Sequence, residues 1–432
     1  MIKYIFLFFC IGIFTLSCTP NVSSPPHQVK ITREKGSWQL VVDGKPFYIQ
    51  GAGCGIAKGK HGEDYLKLAQ ELGANCVRTW GIDQGTQEYF DTAHEYGLKV
   101  DAGIWLNHPY GASSISYIGD TSYKQTVRKE ALEYVKEFKD HPALLMWNAG
   151  NETLFFSRSD EEKVAFCEFL ETLVQEIKKI DPYHPVIYTC ASYMNVHYLQ
   201  QYVPSLDAIG LNMYSSIRLA QGIWAFSKPG PDKPYIVTEY GPYIPSDTPK
   251  DSNGMPVELN DYQKAALYAD YTEQIQSFKG YNLGGFVFHL GETTQESMTW
   301  WNLNEGNLKR QSYWEIYRIY TGKEPPYITP RIAGMMISNT SDVEPGEMID
   351  VSVELADGQD LEDLTYEYRL STTVVGVLQY YVNQYIDMQV EGASDTVRIE
   401  APAQPGIYRL YCFVKDTHGN VSSINKTIKV DE

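Results

Sequence analysis

Basic charge is what this 432-residue sequence has least of: 36 Lys and Arg stand against 54 Asp and Glu, a net charge of −18. With no basic stripe to neutralise phosphates, the chain is not expected to take nucleic acid as a partner, and neutral or cationic partners suit it better. Cysteine is sparse and unpatterned. Besides Cys10 and Cys18 there are Cys54, Cys76, Cys167, Cys190 and Cys412, without CxxC spacing, so neither a zinc site nor a disulfide framework is indicated. HExxH, Walker and GxGxxG stretches are all missing, so metal, nucleotide and dinucleotide chemistry lack support and no cofactor is expected. No motif addresses oligomeric state.

What is present is core material and rings. Hydrophobic residues make up 43% and charged residues 21%, enough for one large core and a smaller one, hence two folded domains. The 8 Trp and 33 Tyr supply flat apolar faces with polar tips, which suit sugar rings as well as ordinary packing.

The first residues read as a leader. Lys3 precedes an apolar run from Tyr4 to Leu16, short for a membrane span and of secretory-signal length. Leu16-Ser17-Cys18 looks like the lipobox of bacterial lipoproteins, with Cys18 as the acylated first mature residue and Thr15 where that pattern usually has Leu. Residues 1–18 are thus expected as signal peptide and 19–35, rich in Pro and Ser, as a tether. The chain would cross the inner membrane and meet the cell envelope only through a lipid anchor.

From Trp38 onward strand and helix patterns alternate. The hairpin in "WQLVVDGKPFYIQG" leads into a first strand near Phe47 to Gly53, and seven further strand-helix units end with strand Gly284 to His289 and helix Gln311 to Tyr320. Eight such units in this length predict an α/β fold, a (β/α)8 barrel over residues 36–325. After the prolines of "KEPPYITPRI", short alternating strands such as "MIDVSVEL" and "GIYRLYCFVKD" predict an immunoglobulin-like β-sandwich over 326–432, a glycan binder or a spacer.

Two barrel strands end in the same way. The apolar run Ala143 to Trp147 stops at Asn-Ala-Gly-Asn-Glu, placing Glu152 after strand four; Tyr235 to Thr238 stops at Glu239, after strand seven. The rim beyond the strand ends is where barrels keep their chemistry, and glutamates three units apart can face each other across the axis. Paired carboxylates in unlike environments are what a glycosidic bond requires, one holding a proton and the other ionised.

With both motifs in view, the chain resembles the retaining glycoside hydrolases of clan A. "WNAGNE", with Asn151-Glu152, is similar to their acid/base motif, and "VTEYG", with Glu239, to their nucleophile motif. "GKPFYIQGAG" and "ELGANCVRTWGI" look like the barrel opening of family two, which implies that Arg78 lies near the nucleophile; "IGLNMYS" offers Asn212 and Tyr214, and the resemblance implies that Tyr214 hydrogen-bonds that carboxylate. The same resemblance implies Glu152 as acid/base, Glu239 as nucleophile, Asn151 on the sugar 2-hydroxyl, and carboxyls about 5–5.5 Å apart with retained configuration.

Trp80, Trp105, His108, His289, Trp300 and Trp301 follow or end strands two, three and eight and are candidates for sugar-binding subsites; His289 stands where many clan members have Trp. Family two normally carries a jelly-roll and a sandwich before its barrel, whereas here the barrel comes first; family five usually has Pro after the acid/base Glu, where Thr153 stands. "AGNET", "TEYG" and "GLNMYS" also resemble fungal β-1,3-glucan transferases. The leading expectation is a retaining glycosidase cutting β-linked carbohydrate; a transglycosylase with the same site and an inactive surface glycan-binding lipoprotein are the alternatives.

Overall fold

A computed structural model of the chain describes residues 27–83, 85–110, 115–215, 217–227, 230–293, 296–359, 361–373 and 383–431. The expected leader, Cys18 and residues 19–26 of the expected tether lie outside the described residues. The end of that tether needs a correction: Val29–Glu34 (β1) is a strand, paired antiparallel with Ser37–Val42 (β2), which turns through Asp43-Gly44 into Lys45–Phe47 (β3). Composition hid this, because the Pro-Ser stretch stops at Pro26 and the Val29-Lys30-Ile31 alternation that follows carries an apolar face. Val29, Leu40 and Val42 pack with Ile49, Cys76, Leu145, Ile187 and Ile236, the early residues of barrel strands, so this small sheet closes the bottom of the barrel.

The barrel itself is closed and parallel, as expected. Its strands are β4 (Ile49–Gly53), β5 (Cys76–Arg78), β6 (Lys99–Ile104), β7 (Leu144–Asn151), β8 (Val186–Cys190), β9 (Ala208–Met213), β10 (Tyr235–Tyr240) and β11 (Asn282–Val287), with β11 pairing back onto β4. The helices are α1 (Tyr65–Leu72), α2 (Thr86–Glu95), α3 (Thr121–Phe138), α4 (Thr153–Phe156), α5 (Asp160–Ile180), α6 (Val196–Tyr202), α7 (Ile217–Phe226), α8 (Asp261–Ser277) and α9 (Gln311–Thr321). Local chemistry starts them: the Asp64 carboxylate accepts from Lys67 N at 2.8 Å, Ser159 Oγ from Glu162 N at 3.1 Å, and Asn260 with Gln263 forms a reciprocal capping box. The acidic run Asp160, Glu161 and Glu162 fills the first turn of α5, where it favours the positive end of the helix dipole.

A two-stranded ribbon, β12 (Asn304–Glu305) with β13 (Leu308–Lys309), precedes α9. Beyond α9 come β14 (Ile332–Ile337), β15 (Met348–Leu355), β16 (Thr365–Thr372), β17 (Tyr385–Ile386), β18 (Val390–Glu391), β19 (Thr396–Glu400), β20 (Gly406–Lys415) and β21 (Val421–Val430). They form two four-stranded sheets, β14-β15-β19-β18 and β17-β16-β20-β21. Ile349, Val351 and Val353 of the first sheet and Leu370, Leu410 and Cys412 of the second share one apolar cluster.

The second unit is fastened to the barrel by buried polar groups. Arg310 sits between Asp261 (3.2 Å), Glu305 (3.1 Å) and Ser423 Oγ (2.6 Å), and the Trp314 indole N–H donates to Asn420 Oδ1 at 2.8 Å. Lys264 pairs with Glu258, which also accepts from Asn425 Nδ2 at 2.8 Å.

Candidate active site

Both glutamates lie at the carboxyl ends of their strands, with one difference from expectation. Glu239 does not follow its strand; it is the fifth residue of β10, in register with Asn212 of β9 across a bulge between Val237 and Glu239. Glu152 directly follows β7 and precedes α4, in the left-handed region at φ 60°, a conformation costing a non-glycine residue about 1 kcal/mol. Its amide is held by the Thr189 carbonyl at 2.9 Å.

The two carboxylates see opposite surroundings. Glu239 Oε1 accepts from Arg78 Nη1 at 2.6 Å and from the Trp80 indole N–H at 2.8 Å, while Oε2 accepts from the Tyr214 hydroxyl at 2.6 Å. Three donors, one of them cationic, serve the carboxylate form. Glu152 Oε1 receives the Asn212 amide at 2.7 Å. Burial first, then the nearby Glu239 charge, pushes the Glu152 carboxyl up to about 7, so it keeps its proton where an ordinary carboxyl has lost it.

A chain of hydrogen bonds joins them. Arg78, 1% exposed, uses Nη1 on the Thr238 carbonyl (3.0 Å) as well as on Glu239, and Nη2 on Asn151 Oδ1 (2.8 Å). Asn151 Oδ1 also accepts from Asn212 Nδ2 at 3.2 Å, and Asn212 Oδ1 is fixed by the Thr238 hydroxyl at 2.9 Å. Arg78, Asn151, Asn212 and Tyr214 thus converge with the two glutamates.

Sequence reasoning missed Asp101. Fully buried in β6, it lies 3.7 Å from Arg78 Nε and accepts from Asn148 Nδ2 at 3.1 Å. Burial raises its carboxyl to about 6, against the pull of Arg78 and Asn148. A lone Asp inside an apolar strand, "KVDAGI", was the available signal. Thr189 is a second such residue, its hydroxyl donating to Asn148 Oδ1 at 3.1 Å.

The candidate subsite rings divide. Trp80 lies against the site through its bond to Glu239, and glycine makes the room: a Cβ on Gly103 would meet Thr79 O at 2.4 Å, and one on Gly53 the Trp80 ring at 3.0 Å. His289 lies beside it, ring centroids 5.8 Å apart; burial lowers its pKa to about 3, which keeps the imidazole neutral. Trp301 packs 5.5 Å from the Tyr214 ring, whereas Trp300 is 2% exposed with its N–H on the Tyr243 carbonyl at 2.8 Å, a packing position behind the site. His108 is stacked on Phe156 at 4.2 Å and donates to the Asn151 carbonyl at 2.8 Å, so it braces the strand end that carries Glu152. Trp105, 36% exposed and 5.1 Å from His108, stands on the rim. Among the described residues no group of three or more His, Cys, Asp or Glu side chains could hold a metal ion.

A parallel eight-stranded barrel with carboxylates on the ends of strands four and seven defines a class, and comparison with known proteins defines the family. Residues 34–298 match the TIM barrel domain of the glycosyl hydrolases family 2, and the chain belongs to that family. Curated relatives include the β-glucuronidases of Mus musculus, 26% identical over 293 residues that are 61% of this chain and 41% of that protein, and of Homo sapiens, 26% identical over 287 residues, 60% and 41%. The chain thus spans less than half the length of these relatives. Among solved structures, the β-galacturonidase of Eisenbergiella tayi aligns with a TM-score of 0.52 and 15% identity over 70% of this chain and 55% of that one. A Bacteroides uniformis β-glucuronidase aligns at 0.50 and 14% over 93% and 48%. At such identities these likenesses speak for the fold.

Proposed function

We propose that this protein is a retaining glycosidase that cleaves β-linked carbohydrate by double displacement, with Glu239 as nucleophile and Glu152 as acid/base. The observation that carries this reading is the unlike environment of the two carboxyls: three donors on Glu239, and a proton retained to about 7 on Glu152. Glu239 attacks the anomeric carbon while Glu152 gives its proton to the leaving oxygen. In the glycosyl-enzyme the Glu239 charge is gone, the carboxyl of Glu152 becomes easier to ionise, and it takes a proton from the water that completes hydrolysis. Arg78 and Tyr214 hold the nucleophile between the two steps, and Asn151 and Asn212 meet the sugar 2-hydroxyl and its neighbourhood.

For the substrate we place an uncharged β-glycoside first. The relatives' names make a β-glucuronide the natural comparison, but Arg78, the one cation touching either glutamate among the described residues, spends its Nη hydrogen bonds on Glu239, Thr238 and Asn151. The alternative transferase would use the same residues with a sugar hydroxyl in place of water. We further propose that the protein is acylated at Cys18 in the bacterial cell envelope, on the lipobox-like Leu16-Ser17-Cys18, and that residues 326–432 form an immunoglobulin-like domain. Labelling with radioactive palmitate, lost in a Cys18→Ala variant, tests the anchor.

The test of the activity is a panel of uncharged and uronate β-glycosides, followed by proton NMR of the first-formed anomer. Release of the β-anomer supports double displacement; release of the α-anomer, or no release from any member, sinks it.

A further inference from the structure

Apart from the two glutamates, the molecule holds a cavity of about 390 Å³ where the barrel meets the second unit. Four segments build it: the stretch before α1 with His61 and Glu63, the loop after β11 with Glu292, Thr293, Met298 and Asn302, the β12-β13 ribbon with Glu305 and Leu308, and the face of the β16-β17-β20 sheet with Glu367, Arg369, Tyr385 and Lys415. Its mouth is framed by the exposed His61 and Glu292.

The charge on its walls is one-sided. Arg369 binds Glu305 at 2.6 Å and Glu367 at 2.5 Å, and Lys415 pairs with Glu367, so both cations are already engaged by carboxylates. Glu63 and Glu292 remain in excess, which repels an anionic ligand. Between the carboxylates lie Met298, Leu308 and the ring of Tyr385, and Thr293 Oγ1 is buried with no hydrogen-bond partner. Planar acceptors beside apolar patches, with a spare hydroxyl, match a ligand that carries hydroxyl groups on one edge and C–H groups on a face.

The cavity is tied to the catalytic end through one loop. Trp301 packs on Tyr214, which holds Glu239, while the next residue, Asn302, lines the cavity and fixes its wall by donating to the Thr293 and Met298 carbonyls at 3.3 and 3.0 Å. We propose that this cavity is a second carbohydrate-binding site that takes uncharged sugar units of the glycan cleaved between Glu152 and Glu239; the assignment of that glycan rests on the glycosidase reading above.

The experiment titrates the full chain, made inactive by Glu239→Gln, with uncharged β-1,3- and β-1,4-linked gluco-oligosaccharides of increasing length in a calorimeter, with an oligogalacturonate as anionic control. Glu292→Arg at the mouth and Thr293→Phe inside are added separately to this background, and both are also made in the active protein. The expected result is saturable binding of the longer neutral oligomers, weakened about tenfold by either substitution, with the galacturonate bound no better than by the Thr293→Phe protein. Turnover of a short aryl β-glycoside by the active variants stays unchanged. Affinities unmoved by both substitutions, galacturonate binding as tight as that of the neutral oligomers, or no saturation at all overturns the proposal. If binding follows the substitutions while the active protein cleaves no glycoside, the cavity stands and the glycosidase reading falls; cleavage with binding indifferent to the substitutions has the opposite meaning.

Discussion

The rim of the barrel and its junction with the second unit both take glutamates out of water, and they do opposite things with them. At the junction, burial would raise the Glu258 carboxyl, but Lys264, then Arg409 and hydroxyl donors override it and hold it at about 2; Ser297 and Thr299 donate at 2.6 and 2.7 Å. At the rim, Glu152 has an amide and a neighbouring carboxylate, and stands at about 7. The lesson is that burial alone does not set a carboxyl's charge: the cation decides. At the junction Lys264 keeps Glu258 ionised, and Glu258 accepts from Asn425 of the second unit; at the rim the cation, Arg78, goes to Glu239 and Glu152 keeps its proton.

That contrast can be broken at several points. The largest effect is expected from Glu239→Gln, which removes the proposed nucleophile and lowers kcat by at least on the order of 10³-fold. Glu152→Gln should cost as much in kcat/KM on poor leaving groups and far less in kcat/KM on an activated aryl glycoside, whose leaving oxygen needs no proton, while kcat still falls because water loses its base; stopped assays on both substrates check this. Next comes the junction. Arg310→Ala leaves Asp261 buried without its cation and Glu305 with Arg369 alone, and a loss of about 3–5 kcal/mol is expected in denaturant unfolding.

The pH dependence sharpens the comparison because its signs are opposite. Glu258 is depressed on folding, so its contribution is present above about 4.5 and lost as pH falls toward about 2; Glu258→Gln should destabilise the neutral protein by about 3 kcal/mol and flatten the acid limb of stability. Glu152 is raised, so its contribution is present below about 4.5 and lost as pH rises through about 7. Glu152→Gln should therefore stabilise the protein at pH 8 by of the order of 1–3 kcal/mol while abolishing the alkaline limb of kcat/KM near 7. Unfolding midpoints of both variants across this range decide the matter; a parallel response of the two would contradict it.

The smallest effect is expected at Trp80. Trp80→Phe keeps the ring and removes one of the three donors on Glu239, so kcat should fall about tenfold with little change in stability.

Much of this architecture was legible in residue order. Apolar runs of strand length alternating with amphipathic helices mark an eight-unit barrel, since each strand must be buried on both faces. Abrupt ends at Glu152 and Glu239 marked the rim. The strand Val29–Glu34 was not legible, because an apolar alternation only three residues long, Val29-Lys30-Ile31, differs little from a linker until its partner is known. Nor were the roles of His108, which turned to the Asn151 carbonyl, and of Trp300, which packs behind the site, since a ring's position along the chain says nothing of its direction.

By itself the sequence determined the order of the elements, the barrel they close into and the two strand ends that carry carboxylates, because periodicity and strand length are local properties. Only the tertiary structure decided which glutamate keeps a proton. That depends on where Arg78, Asp101, Trp80, Tyr214 and Asn212, drawn from β5, β6, β9 and the residues just after them, bring their charges and donors within about 4 Å of those two side chains or of each other, and electrostatic energies at such range are set by position and burial rather than by residue type.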